Sequence, residues 1–229
     1  MSSDIYASLS GASAAWAQLE VVANNVSNAS THGFKAGQVA FVVDGPEGEP
    51  NGQVYAQPTE VVPDMSDGTI EHDGDPLHLA LQGDGFFTVD TGQGVMLTRS
   101  GRFELNPDGE LVTARGHKVL GNAGPIALPP GEMPQITADG RVVLESMGEI
   151  DQIRLVTGPA SPVDNGLWSA DGPLREADAH VTQGALEGSN VDAMAEMVDL
   201  IQASRAFEAF QKAMQASDSL DERINRLRS

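Results

Sequence analysis

Apolar side chains near the N-terminus recur at alternating spacings of four and three residues, which is the repeat of a heptad helix. The polar positions between them are mostly Ser, Gln and Asn, so this helix lacks the charged face of an isolated surface helix. We therefore predict that it contacts neighbours on more than one side. The apolar positions of this first seam are Ile5, Leu9, Ala12, Trp16, Leu19, Ala23 and Val26.

A second heptad pattern lies near the C-terminus. Ser189 or Asp192 can cap a helix that then continues without Gly or Pro to residue 229. Small residues in the middle of this pattern permit the close approach of another helix. The seam positions are Ala203, Ala206, Phe210, Ala213, Ser217, Leu220, Ile224 and Leu227.

Between the two helical patterns the sequence changes to short β runs separated by turn residues. Leu77, Leu79 and Leu81 alternate with other residues, as in a strand with one buried face. The sequence Asn-Pro-Asp-Gly at 106–109 predicts a hairpin turn, because it supplies a fixed φ, a side-chain acceptor and a residue that tolerates positive φ. Asp139 and Gly140 predict a second hairpin.

Together these patterns predict a mixed α and β fold. Long N- and C-terminal helices are expected to form a coiled-coil-like layer, with a central all-β domain of short strands and hairpins. The expected divisions are an N-terminal axial helix and turn (1–35), an extended acidic connector (36–75), a β domain (76–182) and a C-terminal axial helix (183–229). One alternative is an intramolecular helical hairpin docked on the β domain, but two long seams exceed what a small β domain needs for cover.

Composition restricts the classes of partner. The chain has 33 acidic and 13 basic residues, and its net charge of −20 repels nucleic acid and anionic membranes. No run approaches the roughly 20 apolar residues of a membrane span, and the N-terminus lacks a secretory signal pattern. We expect no nucleic-acid binding and no direct membrane insertion; if the protein leaves the cytoplasm, a cleaved signal peptide is not the expected route. The absence of Cys excludes disulfides and thiolate chemistry.

Candidate chemistry is confined to one acidic turn. Its carboxylates and imidazoles could coordinate a cation, but their spacing matches no regular metal motif, and a solvated turn accounts for them. No phosphate-binding loop, nucleophile elbow or acid–base pair is recognisable. We therefore expect no cofactor, no metal and no enzymatic activity. The residues of this turn are Glu71, His72, Asp73, Asp75 and His78.

Four sequence blocks carry a resemblance to a known family. The sequence ANNVSNASTHGFK at 23–35 closely resembles the ANNxANxxTxGFK motif of flagellar rod and hook proteins. Further blocks at 79–90, 97–121 and 183–211 are similar to the same family and occur in the family's order. Residues 116–129 resemble a proximal rod member, with a distal rod member as the alternative.

The resemblance implies a structural subunit that assembles helically through its terminal helices into a hollow, torque-transmitting shaft. Implied partners are copies of itself, other flagellar rod proteins and the flagellar type III export apparatus. The implied location is the rod where it crosses the periplasm, reached by export without a cleaved signal peptide. A secreted β-domain enzyme or glycan-binding module is the alternative of another class. Besides the first seam, the expected assembly interface comprises Asn24, Asn25, Asn28, Thr31, Gly33, Phe34, Asn190, Val191, Met197, Ile201, Arg205, Phe210, Leu220, Ile224 and Leu227.

Overall fold

The structure is a computed structural model that describes residues 2–44, 55–164 and 166–228. Its first element is helix α1, Ser2–Ser27. The chain reverses directly after it, where the Thr31 amide donates to the Asn28 carbonyl (3.0 Å) and the Phe34 amide donates to the Thr31 carbonyl (3.2 Å). The helix therefore ends within the predicted N-terminal helix and turn (1–35), a few residues before Gly33.

Helix α2 spans Ala193–Arg228. Asp192 is its N-cap, because its Oδ1 accepts hydrogen bonds from the amides of Met194 (3.0 Å) and Ala195 (3.2 Å). Glu196 in the first turn adds a negative charge where the helix dipole favours one. Of the two predicted caps, Asp192 is the one that the structure uses.

The described residues form two compact units. Unit 1 comprises the described residues within Met1–Ser27, Gly37–Asp64 and Val191–Ser229, and unit 2 comprises those within Asn28–Ala36 and Met65–Asn190. In unit 1, strands β1 (Gly37–Asp44) and β2 (Tyr55–Pro63) form an antiparallel hairpin. Helix α1 packs against both α2 and this hairpin.

Unit 2 is built from short strands, and its described pairings are antiparallel. Phe87 and Phe103 meet edge to face in its core, with ring centroids 5.2 Å apart, and both are buried. The strands are β3 Ile70–His72, β4 Leu79–Gln82, β5 Phe86–Asp90, β6 Val95–Thr98, β7 Phe103–Leu105, β8 Leu111–Thr113, β9 Lys118–Val119, β10 Gln135–Ile136, β11 Arg141–Leu144, β12 Gly148–Gln152, β13 Leu155–Thr157, β14 Ala160–Asp164, β15 Leu167–Ala170, β16 Arg175–Glu176, β17 His180–Gln183 and β18 Ala185–Glu187. The largest sheet has the order β14-β15-β6-β5-β9-β8-β7, and β13 pairs with both β5 and β16.

Both predicted hairpins are confirmed. β7 pairs with β8 across the turn at 106–109, where the Asn106 side chain accepts from the amides of Asp108 (3.0 Å) and Glu110 (2.8 Å). β10 pairs with β11 across the turn that contains Asp139 and Gly140. Turn chemistry locates such reversals because the required dihedrals restrict which residues can occupy them.

The predicted fold class is wrong in one part. The described residues contain two terminal helices and a central β-rich region, but the helices do not form a coiled-coil-like layer. In α1 the buried positions are Ala12, Ala15, Val22 and Asn25, whereas three seam positions, Leu9, Trp16 and Ala23, are exposed. The reason is that α1 packs on a β-hairpin as well as on α2, so its buried stripe does not follow a two-helix seam.

Candidate assembly interface

The first seam of α1 divides between buried and exposed positions. Leu9 is 54% exposed and Trp16 is 47% exposed. The Trp16 ring lies 5.3 Å from that of Phe207 on α2, at an interplanar angle of 51°. Ala12 is buried, Leu19 and Val26 are half-buried, Ala23 and Asn24 are exposed, and the side chain of Ile5 lies outside the described residues.

Asn25 is a buried polar residue that connects three elements of unit 1. Its Oδ1 accepts the Gly37 amide (2.9 Å), and its Nδ2 donates to the Gly37 carbonyl (3.0 Å) and to Glu196 Oε1 (3.0 Å). A side-chain amide suits this position because it carries an acceptor and two donors. Asn25 therefore joins α1 to the start of β1 and to the first turn of α2.

One face of α2 presents a row of large apolar side chains. Met194, Met197, Val198 and Ile201 are between 48% and 75% exposed. Their spacings of three, one and three residues place them on one side of a helix. We call these four residues the α2 apolar stripe; the sequence analysis identified Met197 and Ile201 but missed Met194 and Val198.

The predicted α2 positions beyond the stripe differ in their surroundings. Arg205 is exposed, and Phe210 is half-buried. A Cβ atom on Gly11 would lie 2.4 Å from the Phe210 ring, so the absence of a side chain at Gly11 permits this helix contact. The side chains of Leu220, Ile224 and Leu227 lie outside the described residues.

The β1–β2 hairpin adds an apolar surface that the sequence analysis did not identify. Phe41, Val42, Val61 and Val62 are each more than 40% exposed. Their only sequence signal was a pair of short apolar runs in a segment rich in Gly, Pro and acidic residues. Unit 1 therefore exposes apolar side chains on both helices and on its hairpin.

In unit 2 the motif segment 28–36 is anchored by its glycine. Thr31 Oγ1 donates to Asn28 Oδ1 (3.1 Å) within the reversal, and Phe34 is half-buried. Gly33 has φ +71°, and its amide donates to the Glu187 carbonyl (2.8 Å). A Cβ atom there would lie 2.6 Å from the Arg99 carbonyl carbon and the Ser100 nitrogen. The glycine is therefore required by both backbone conformation and close approach.

A buried charged cluster lies beside this segment. Glu187 Oε1 pairs with Lys35 Nζ (2.7 Å) and Glu187 Oε2 pairs with Arg99 Nε (2.7 Å), and all three side chains are at most 1% exposed. Arg99 Nη2 also pairs with Asp67 Oδ1 (2.9 Å), whose side chain is 48% exposed. We call Lys35, Asp67, Arg99 and Glu187 the charged cluster; two cations and two anions balance within it.

Sequence reasoning missed the charged cluster, although Lys35, Arg99 and Glu187 each fall within a motif block that it quoted. Asn190, which it did identify, lies beside the cluster. Asn190 Oδ1 accepts the Ala36 amide (2.7 Å), and its Nδ2 donates to the Ser66 carbonyl (3.2 Å). Val191 is half-buried.

The acidic turn carries one close imidazole–carboxylate contact. His78 Nδ1 lies 2.5 Å from Asp73 Oδ2, and this hydrogen bond holds the pKa of Asp73 below its ordinary value. Within the described residues no group of three or more His, Asp or Glu side chains is arranged to hold a metal ion. In the same part of the chain, neither helix has the length and apolarity needed to cross a membrane.

In comparison with known proteins, three family models match this chain. They are "Flagella basal body rod protein" at residues 5–35, "Flagellar hook protein FlgE/F/G D1 domain" at 80–144, and "Flagellar basal body rod FlgEFG protein C-terminal" at 182–227. The flagellar basal-body rod protein FlgF of Escherichia coli K12 is 36% identical, with 98% of each chain covered. The chain belongs to the flagellar basal-body rod protein family.

Two further relatives support this membership. FlgF of Mesorhizobium japonicum is 35% identical over 100% of this chain and 99% of the relative. The rod protein FlgG of Bacillus subtilis is 31% identical over 96% of this chain and 97% of the relative. The predicted family and the prediction of a structural rod subunit are confirmed. The relatives are structural rod proteins. Two coarser predictions are also confirmed: other rod components as partners, and the flagellar basal body as the location.

Proposed function

We propose that this rod subunit belongs to the proximal rod and assembles helically, with copies of itself and other rod proteins, into a hollow torque-transmitting shaft. The α2 apolar stripe carries the proposal, because it is a contiguous apolar surface that one chain leaves in water. The resemblance of residues 116–129 to a proximal rod member supports the proximal position. We further propose that the subunit has no enzymatic activity.

The energy available from the stripe indicates assembly with several neighbours. Full burial of one Val, Ile or Met side chain contributes roughly 1.5–3 kcal/mol, so covering four half-exposed side chains would contribute roughly 3–6 kcal/mol. Association of two proteins costs at least about 4 kcal/mol in lost translational and rotational freedom. One stripe is therefore a weak dimerisation site, but it is effective when several surfaces bind at once.

Unit 1 has additional surfaces for this purpose. Leu9 and Trp16 on α1, and Phe41, Val42, Val61 and Val62 on the hairpin, are also partly exposed. Different surfaces that meet different neighbours form heterologous contacts, which propagate into a helical polymer instead of closing a dimer. The terminal helices and the hairpin would together supply the contacts along and around the shaft.

Charge affects the same process. Copies that each carry a net charge of −20 repel one another in solution. Salt screens this repulsion, since the Debye length is about 10 Å at 0.1 M ionic strength. We therefore propose that apolar stripes bring subunits together only where charge repulsion is screened or local concentration is high, as at a growing end.

We also propose the flagellar type III export apparatus as a partner and the rod section that crosses the periplasm as the location. The resemblance of residues 23–35 to the axial-protein motif supports both. The sequence contains no Cys, so no disulfide would have to break for passage in an unfolded form.

The α2 apolar stripe can be tested by the double variant Met197→Asp and Ile201→Asp in cells that lack the wild-type protein. Both side chains are about half exposed in the single chain, so loss of their buried halves and the lower helix propensity of Asp should reduce the free energy of unfolding by roughly 1–2 kcal/mol for each. We expect loss of the protein from purified basal bodies and loss of swimming. Met147→Asp is the matched control, because Met147 is 64% exposed in unit 2 and lies outside the stripe.

Normal incorporation of the double variant would refute the proposed role of the stripe. Equal loss of incorporation by the control would show that an added negative charge anywhere blocks assembly. Circular dichroism of each purified variant confirms that the helices are retained.

A further inference from the structure

The chain passes between its two compact units four times. The boundaries fall between residues 27 and 28, 36 and 37, 64 and 65, and 190 and 191. Force that enters unit 2 along the backbone must arrive through these crossings. Three segments of unit 2 adjoin the last three of these boundaries, and we call them the connecting segments: 33–36, 65–68 and 187–190.

These three segments meet at one carboxylate. Glu187 Oε1 accepts hydrogen bonds from Lys35 Nζ (2.7 Å) and from the Gly68 amide (3.1 Å). The backbone carbonyl of Glu187 accepts the Gly33 amide (2.8 Å). One residue of the third segment therefore binds both of the others.

Further hydrogen bonds join the same segments in pairs. Lys35 Nζ donates to the Ser66 carbonyl (2.7 Å). The Asn190 side chain accepts a hydrogen bond from the Ala36 amide and donates one to the Ser66 carbonyl. A Cβ atom on Gly68 would lie 2.0 Å from the Gly188 carbonyl oxygen, so these two backbones are already in contact.

Arg99 connects the joined segments to the β core. Its Nε pairs with Glu187 Oε2 (2.7 Å), and its Nη1 donates to the carbonyls of Gly83 and Gly85 (both 2.7 Å). Gly83 and Gly85 lie in the turn between β4 and β5, next to the buried strands. The guanidinium therefore links the Glu187 carboxylate to a rigid part of unit 2.

We infer that Glu187 is a positioning residue that binds the three connecting segments to one another and, through Arg99, to the β core. We call these contacts of Glu187 the clasp. Load that enters along one connection would then be shared by all three. The clasp itself is a property of unit 2; its mechanical consequence rests on the proposed function. A buried carboxylate suits this role because a single group can bind several donors from different segments.

The direct test is Glu187→Gln in the purified full chain, followed by amide hydrogen exchange. Glutamine keeps the shape but presents an NH₂ donor to Arg99 or Lys35, and it leaves those two buried cations with only Asp67 as a counter-charge. We expect exchange at Gly33, Ala36 and Gly68 to accelerate by about 100-fold or more. Core amides such as Leu111, which donates to the Ile126 carbonyl, should change by less than about 3-fold.

Glu110→Gln is the matched control, because it removes the carboxylate of a more exposed ion pair with Lys118 in the same unit. Exchange at the three segments should remain unchanged in this control. If Glu187→Gln does not fold, Lys35→Met provides a second test, since it keeps the apolar stem and retains the Arg99–Glu187 pair. In this variant, exchange at the Ala36 and Gly68 amides should accelerate relative to wild type, whereas exchange at the core amides should not.

Unchanged exchange at the three segments would overturn the clasp, as would equal acceleration throughout unit 2, and neither result concerns rod assembly. In cells, we expect Glu187→Gln to enter basal bodies but to lose swimming speed more steeply than wild type as medium viscosity rises. Local acceleration combined with a wild-type viscosity response would overturn the load-sharing role. Failure of the proposed function is read separately, from normal assembly of the α2 apolar stripe variant.

Discussion

Gly33→Ala tests whether the motif glycine is required by its close approach to another part of unit 2. Gly33 has φ +71°, and an added Cβ would lie 2.6 Å from the Arg99 carbonyl carbon and the Ser100 nitrogen. Both of these are backbone atoms, so no side-chain rotation can relieve the contact. Arg99 is itself held by the charged cluster, which further limits local movement.

Two costs add at this position. Placing alanine in the left-handed region costs about 1–2 kcal/mol, and forcing a methyl group into a filled space costs about 1–3 kcal/mol. We therefore expect Gly33→Ala to lower the free energy of unfolding of unit 2 by about 2–5 kcal/mol. Gly92→Ala is the control, because Gly92 has φ +77° with no atom within 4 Å of the added Cβ. It should cost only the about 1–2 kcal/mol of placing alanine in the left-handed region.

Urea unfolding followed by tryptophan fluorescence measures the difference. The chain has two tryptophans, and a Trp16→Phe background leaves Trp168, which is buried in unit 2 at 5.2 Å from Phe86. Midpoints are compared at equal slope, so that a shift reports stability alone. Free energies of unfolding of Gly33→Ala and Gly92→Ala that agree within about 0.5 kcal/mol would show that the close approach at Gly33 has no energetic effect.

Two further predictions concern individual contacts. A double-mutant cycle of Trp16→Ala and Phe207→Ala should give a coupling energy of about 0.5–1.5 kcal/mol in the purified monomer; strictly additive effects would contradict the ring contact between α1 and α2. The second concerns the Lys118 ion pair, which holds the pKa of Glu110 below 4.5 and that of Lys118 above 10.5. The pair stabilises the fold between these values and loses its effect as pH falls through the folded-state pKa of Glu110 or rises through that of Lys118. Lys118→Met should therefore differ most from wild type near neutral pH, and an equal difference at pH 2 in urea unfolding would contradict this assignment.

Turn and capping chemistry could be predicted from sequence because its causes are local. The Asn-Pro-Asp-Gly turn at 106–109 and the Asp192 cap each depend on atoms a few residues apart. The motif at 23–35 likewise indicated the family before any fold was known. What the motif residues do could not be predicted, since their partners are remote in the chain.

Helix packing shows a different limit. The heptad pattern of α1 correctly predicted a helix, but the buried positions include Ala15 and Val22, whereas Leu9 and Trp16 remain exposed. A 3.5-residue repeat shows which residues are apolar, but it predicts the buried positions only if the partner is another helix. The β1–β2 hairpin changes the covered face, and its pairing lies in a segment whose sequence predicted an extended connector.

The sequence by itself determined the two terminal helices, the β-rich middle, the turns and the family, because periodicity, turn dihedrals and motif identity are all properties of short segments. Only the tertiary structure decided which apolar side chains stay exposed and which charges are buried. Glu187 pairs with Lys35 across 152 positions and with Arg99 across 88. Pairs at such separations form when strand topology brings their segments together, and the stability of a buried charge depends on that arrangement.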